Sequence, residues 1–146
     1  MDTNTGKSQV LVVDDEKSLR ITLKEFLEDE GFLVTTADGF AEAMKVLKAC
    51  DFDVAVIDRV LSNGHSGLDI IKHLYTENPF CQTILVTAYP TIESAQFCLK
   101  YGTSDCFVKP VAQDDICTAV KAASLASLQK RREKAVFSNK IYKTAN

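Results

Sequence analysis

Asp53-Val54-Ala55-Val56-Ile57-Asp58 is the stretch that sets the fold, and it runs on into Arg59-Val60-Leu61-Ser62-Asn63-Gly64-His65-Ser66-Gly67. Four consecutive apolar residues, three of them β-branched, predict a strand buried on both faces. Such strands belong to parallel sheets covered by helices on either side. Asp58 then falls where the strand surfaces. In open α/β sheets ligands and chemistry collect outside the carboxyl ends of the strands, so an acid there is a candidate functional group. The plainer reading is an Asp that opens the next turn.

Upstream, Gln9-Val10-Leu11-Val12-Val13 is a second apolar run, and it ends in Asp14-Asp15-Glu16. Helical spacing follows in Leu19, Leu23, Phe26 and Leu27, with Gly31 as the stop. Leu33 to Ala37 reads as a short strand. Asp38 is the expected cap of a helix carrying Phe40, Met44 and Leu47 and ending near Cys50. Downstream, Asn63-Gly64 signals a turn, and Leu68, Ile71, Leu74 and Tyr75 mark a third helix closed before Pro79. Thr83 to Thr87 is a fourth strand. Thr91 caps a helix with Ile92, Ala95 and Leu99 on its apolar positions, ended by Gly102. Cys106-Phe107-Val108 is a short fifth strand leading into Lys109-Pro110, and a last helix begins near Gln113 or Asp114 with Ile116, Val120 and Ala123. Strand and helix alternate five times, with connections too long for hairpins. The pattern implies parallel strands joined by right-handed crossovers, a doubly wound α/β domain with five strands and five helices.

At 146 residues and 46% hydrophobic, the chain can bury one good core. Its net charge of -3 conceals an asymmetry: residues 128–146 carry six basic side chains against Glu133, which leaves the rest acidic. The five cysteines include no C-x-x-C pair, and four sit inside apolar or helical patterns, as buried reduced thiols do. No disulfide or zinc site is expected. The polar start, residues 1–7, reads as a disordered lead with no signal-peptide core, and no run approaches the roughly 20 apolar residues that span a bilayer. A cytoplasmic protein without membrane contact is the expectation. His65 and His73 have no neighbouring ligand set and read as a loop residue and a helix-surface residue.

Aligning the carboxyl ends of the strands brings Asp14, Asp15, Asp58, Thr87 and Lys109 to one edge. Three carboxylates repel one another unless a cation sits among them, and hard oxygen ligands with room for water suit Mg²⁺. Phosphoryl transfer uses such a set. An Asp can be the nucleophile, a divalent cation neutralises charge on the phosphoryl oxygens, and Lys109 and the Thr87 hydroxyl can hold the remaining ones. Each residue has a plainer reading: acids favouring a helix N-terminus, a β-branched strand residue, a solvent-facing lysine. Their coincidence at one sheet edge favours the shared site.

On these residues the chain resembles a receiver domain of a two-component response regulator, a member of the CheY-like superfamily. The matching motifs are Val12-Val13-Asp14-Asp15-Glu16, the strand ending at Asp58, Thr87-Ala88, and Gly102-Thr103-Ser104-Asp105-Cys106-Phe107-Val108-Lys109-Pro110. The resemblance covers a domain over residues 8–126. It implies a flavodoxin-like sheet of order 2-1-3-4-5 and phosphorylation of Asp58 by a sensor histidine kinase or phosphotransfer protein. It further implies Mg²⁺ held by Asp15 and Asp58, by Asp14 through water, and by the main-chain carbonyl of Val60. Lys109-Pro110 is expected to be cis. By the same resemblance, the signal leaves through the fourth helix, fifth strand and fifth helix, toward an output domain, an effector or a second copy.

Three departures from the family pattern bear on mechanism. Leu61, Ser62 and Ser66 stand where the family has Met, Pro and Gly, and Gly67 comes one residue later, which implies one inserted residue in a loop loosened by Asn63-Gly64. Cys106 replaces the aromatic switch residue that normally works with the Thr87 position, while Phe107 points to the opposite face. Val60 and Tyr89, two residues past Asp58 and Thr87, do not orient an attacking water well, so slow autodephosphorylation is expected. Residues 127–146 read as a basic helical extension or a linker to an absent output domain. Direct nucleic-acid binding is disfavoured, because the globular part is acidic and no helix-turn-helix follows. Two other functions compete. A receiver-like interaction domain independent of phosphate is one; a metal-dependent phosphohydrolase with an Asp nucleophile is the other, although the haloacid dehalogenase type needs Asp-x-Asp and this chain has Asp14-Asp15.

Overall fold

A computed structural model describes residues 6–62 and 64–145, with side chains described as far as residue 140. Most of the expected lead, residues 1–5, and Asn63 of the expected turn lie outside the described residues. The elements follow in the order β1 (Gln9–Val13), α1 (Lys17–Asp29), β2 (Leu33–Ala37), α2 (Phe40–Ala49), β3 (Val54–Asp58), α3 (Gly67–Glu77), β4 (Gln82–Thr87), α4 (Ile92–Lys100), β5 (Asp105–Val108) and α5 (Gln113–Ala145). All five strands are parallel, in the order β2-β1-β3-β4-β5.

Side-chain alternation along the central strands builds two cores. Val10 and Val12, Val54 and Val56, and Ile84 and Val86 face α1 and α5, where they meet Leu27, Ile116 and Val120. Leu11 and Val13, Ala55 and Ile57, and Leu85 face the other way, against Ala43, Ile70, Ile71 and Leu74 of α2 and α3. Runs that are apolar at every position are what this two-sided burial requires. The fully buried Phe52, just before β3, closes the second core.

Several local expectations change. Gly39, and not Asp38, is the N-cap of α2, without a side-chain cap; the Asp38 N–H instead donates to Glu42 Oε1 at 2.8 Å. Asp53 precedes β3, and its carboxylate accepts from the Gln9 N–H, tying β3 to β1. The apolar positions of α4 face outward: Ile92 is 75% and Leu99 85% exposed, while Ser94 is buried and Phe97 and Cys98 pack on the core. Cys81 and Cys117 are buried as expected, but Cys98 is half-buried and Cys50 and Cys106 are exposed. His65 is more than a loop residue. Its ring stacks on Phe40 at 4.1 Å, pinning the β3–α3 loop to α2.

The fifth helix has 33 residues and passes through the basic stretch without a break. Arg131 forms an ion pair with Asp53 at 3.3 Å, and Arg131 and Lys134 both lie over the Phe80 ring. These contacts anchor α5 beneath the amino-terminal edge of the sheet.

Candidate functional site

The carboxyl edge of the sheet gathers the expected residues. Asp58 is the last residue of β3 and is 7% exposed; Asp14, directly after β1, is 8% exposed, and Asp15 beside it is open to solvent. Carboxylate oxygens of all three lie within 4.8 Å of one another. Lys109, one residue past β5, reaches back across β4, with Nζ 3.1 Å from Asp58 Oδ2 and 3.2 Å from Asp14 Oδ2. The Lys109-Pro110 peptide is cis.

Main-chain donors fix the two buried acids. The Glu16 N–H donates to Asp14 Oδ1 at 2.8 Å and the Val60 N–H to Asp58 Oδ1 at 3.3 Å, so each carboxylate keeps its other oxygen for the lysine. Burial, and then the neighbouring charge of Asp14, raises the Asp58 pKa; Lys109 opposes both. For Lys109, burial disfavours the ammonium, but the hydrogen bonds and charges of Asp58 and Asp14 outweigh it and hold its pKa above the usual lysine value. Beneath these groups a cavity of about 350 Å³ opens between α1 and α5, walled by Val12, Leu23, Val56, Val86 and Ile116. That apolar wall withholds solvation from the acids.

Thr87 ends β4 next to β3, fully buried, and its Oγ1 accepts from the Tyr89 N–H at 3.1 Å. Its own O–H therefore remains available as a donor. The Val60 side chain is exposed, and Val60 forms an antiparallel bridge with Ser66 that folds the β3–α3 loop back on itself. Cys106 lies in β5, in register with Leu85, and is exposed.

Three supporting residues escaped the sequence reading. Ser62 Oγ donates to Asp15 Oδ2 at 3.0 Å, and Arg20 Nη1 donates to the Asp14 carbonyl at 2.8 Å. Neither contact has a local sequence signal. Ser66 does: with Asp69 it forms a capping box on α3, a pattern legible as Ser-x-x-Asp before an apolar run. Gly67, the first residue of α3, packs directly on the Asp58 carbonyl, and a Cβ there would stand 2.7 Å from Ile57 Cγ2. Helix α3 can approach β3 this closely only through a glycine.

A hard-oxygen triad, a lysine between two of its members, a threonine hydroxyl and a doubly wound sheet together define a receiver-type signalling domain. The chain belongs to the response regulator receiver domain family, whose model matches residues 10–121. It is 32% identical over 129 residues to the alginate biosynthesis transcriptional regulatory protein AlgB of Pseudomonas putida. That alignment takes in 88% of this chain but 29% of the relative, so the chain spans under a third of that relative's length. Among solved structures, a Burkholderia pseudomallei response regulator with a phosphorylated aspartic acid, calcium ion and citrate superposes with a TM-score of 0.73 at 28% identity, covering 89% of this chain and 74% of that one. The response regulator TrrA of Thermotoga maritima, in complex with Mg²⁺-BeF, gives 0.70 at 30% identity, covering 80% and 98%. No helix among the described residues is long and apolar enough to cross a membrane.

Proposed function

We propose that this domain accepts a phosphoryl group on Asp58 from a sensor histidine kinase or phosphotransfer protein and passes the signal by changing partners. The observation that carries the reading is the Lys109 ammonium seated between Asp14 and Asp58 at the carboxyl edge of the sheet. The donor set, three hard carboxylates with Asp15 open to water, fits Mg²⁺, with Asp14, Asp15, Asp58 and the Val60 carbonyl as its protein ligands. When bound, the ion supplies positive charge against the phosphoryl oxygens.

The residues of the chain do the rest. An Asp58 carboxylate oxygen attacks phosphorus as the donor's P–N bond breaks, and the imidazole leaves with that electron pair. Lys109, already hydrogen-bonded to Asp58, offsets the charge that accumulates. The free Thr87 O–H donates to a phosphoryl oxygen, and that pull biases the β4–α4 segment toward a second state. Exposed Ile92 and Leu99 of α4 and Val108 of β5 give this face an apolar surface suited to a second copy or an effector. We take residues 8–126 as the receiver and residues 127–146 as the helical connector to an output domain, with the whole working in the cytoplasm and without direct nucleic-acid contact.

Incubation with Mg²⁺ and acetyl phosphate tests the reading. Stoichiometric gain of one phosphoryl group, mapped to Asp58 and absent in D58N, is the expected result. Turnover of a small phosphate ester would place the chain among phosphohydrolases, and no reaction with either acetyl phosphate or beryllofluoride would make it a phosphate-independent interaction domain.

A further inference from the structure

Two of the five thiols come from adjoining elements on the same side of the sheet. Cys106 is in register with Leu85 of β4, so its side chain leaves the sheet on the face that Leu85 gives to the α2–α3–α4 core. Cys98 comes from the last turn of α4 and packs against that same core. A short link joins them, held by the Thr103 N–H to the Cys98 carbonyl at 2.9 Å and by the Ser104 N–H to Thr83 at 2.8 Å, so α4 and β5 are fixed in register. After burial, Cys98 is the neighbour that acts most on the Cys106 thiol. Cys106 is exposed and Cys98 half-buried, the arrangement of an attacking thiol backed by a resolving one.

We propose that Cys98 and Cys106 form a reversible disulfide when the protein meets a peroxide, and that this bond clamps α4 to β5. The Cys106 sulfur, as thiolate, attacks one peroxide oxygen; the S–O bond forms, the O–O bond breaks, and the departing hydroxide takes up the thiol's proton as water. The Cys98 sulfur then attacks the sulfenic sulfur. The S–S bond forms, the S–O bond breaks, and the hydroxide leaves with the Cys98 proton as a second water. Two thiols lose two electrons and the peroxide gains them. Burial, then the neighbouring Cys98 and Asp105, keep the Cys106 thiol largely neutral, so closure is slow and suits sustained exposure. The disulfide itself follows from the thiol geometry alone, whereas its effect on signalling rests on the phosphoacceptor reading above.

The test treats the whole chain with hydrogen peroxide and counts thiols in denaturant. The expected result is loss of two of the five thiols, a monomer lighter by two hydrogens, and recovery on adding dithiothreitol. C98S and C106S are each expected to keep their remaining thiols paired with nothing and to gain oxygen instead, while C50S closes as the parent does. A mass gain of oxygen in the parent, or two thiols still lost in both C98S and C106S, would overturn the proposal. For the clamp, amide shifts of α4 and β5 on adding beryllofluoride and Mg²⁺ are compared in reduced and oxidised protein: shifts lost on oxidation and restored on reduction support it, and equal shifts refute it. Absence of shifts in the reduced protein would defeat the phosphoacceptor reading, and the thiol count would still decide the disulfide.

Discussion

Lys109 Nζ stands 3.1 Å from Asp58 Oδ2, joining the end of β5 to the end of β3 across the intervening strand. The same nitrogen is 3.2 Å from Asp14, so one ammonium holds two partly buried carboxylates together. Replacing it with Ala leaves those acids adjacent and without a counter-charge. K109A is expected to unfold about 1–3 kcal/mol more easily in metal-free buffer, less than the loss for a fully buried pair because the lysine is partly exposed. Urea midpoints with and without Mg²⁺ check this. The deficit should shrink when Mg²⁺ is added, and identical metal-free midpoints for K109A and its parent would count against the arrangement.

Asp58 carries the complementary expectation. Burial and the Asp14 charge both disfavour its ionised form, so removing that charge relieves the native state. D58N is expected to gain about 1 kcal/mol without metal. It should also lose most of its response to Mg²⁺, whereas binding stabilises the parent by about 2.7 kcal/mol at a concentration 100 times Kd. Thermal melts across a Mg²⁺ titration measure both effects. A variant that melts lower than its parent without metal, or that responds equally to Mg²⁺, would contradict this account of the cluster.

Gly67 sets how closely α3 approaches Asp58. An added methyl would collide with the Asp58 carbonyl and the Ile57 side chain, both held in the rigid centre of the sheet. G67A is expected to cost about 2–4 kcal/mol and to weaken Mg²⁺ binding by moving the Asp58 backbone. Urea unfolding and a Mg²⁺ titration should show the two losses together; a loss of stability with unchanged affinity would separate the glycine from the site.

The architecture was legible because burial on both faces leaves short, β-branched apolar runs such as Val10–Val13 and Val54–Ile57, each ending in an acid and too short for a buried helix. The site was legible for the same reason, since strand ends fix where Asp14, Asp58, Thr87 and Lys109 must lie. What failed was helix facing where the apolar signal has two possible causes. In α4 the regularly spaced Ile92, Ala95 and Leu99 face solvent, while Ser94, whose hydroxyl is satisfied by the Thr91 carbonyl and N–H, takes the buried position. Apolar periodicity cannot tell a core face from an exposed interaction face. Contacts between residues far apart in the chain, such as Ser62 with Asp15 and Arg131 with Asp53, depend on chain paths that local spacing does not encode.

Cys81 gives a pH dependence of defined sign. Burial, followed by the nearby charge of Asp53, pushes its pKa from 9.0 up to about 12. The folded state keeps the proton after the unfolded chain has lost it, so this contribution is intact below about pH 9 and is lost as pH rises through the folded value. The cost is at most about 1.4 kcal/mol for each pH unit in that window. C81A, whatever its loss of packing, is expected to show a flatter decline of the urea midpoint between about pH 9 and about pH 11 than its parent. Parallel declines would mean that the thiol ionises as readily folded as unfolded.

The lifetime of the phosphorylated state should be governed by what lies beside Asp58, and here the chain offers little to water. Val60, which follows two residues later, presents an exposed aliphatic side chain, and Tyr89 is three-quarters exposed with its backbone N–H committed to Thr87. Val60 has no group to hold a water, and the Tyr89 phenol stands on a largely exposed side chain, so neither orients an attacking water well. Slow loss of phosphate from the isolated domain is the expected outcome, and a lifetime of only seconds would sink it. V60N places an amide where a water must stand, at an exposed position whose side chain has no packing to lose. It is expected to shorten the lifetime by about tenfold while leaving the urea midpoint unchanged. Acid-quenched phosphate release from the acetyl-phosphate-labelled protein measures this. An unchanged rate in V60N would show that access to the acyl phosphate is limited by the Lys109 and Thr87 contacts themselves.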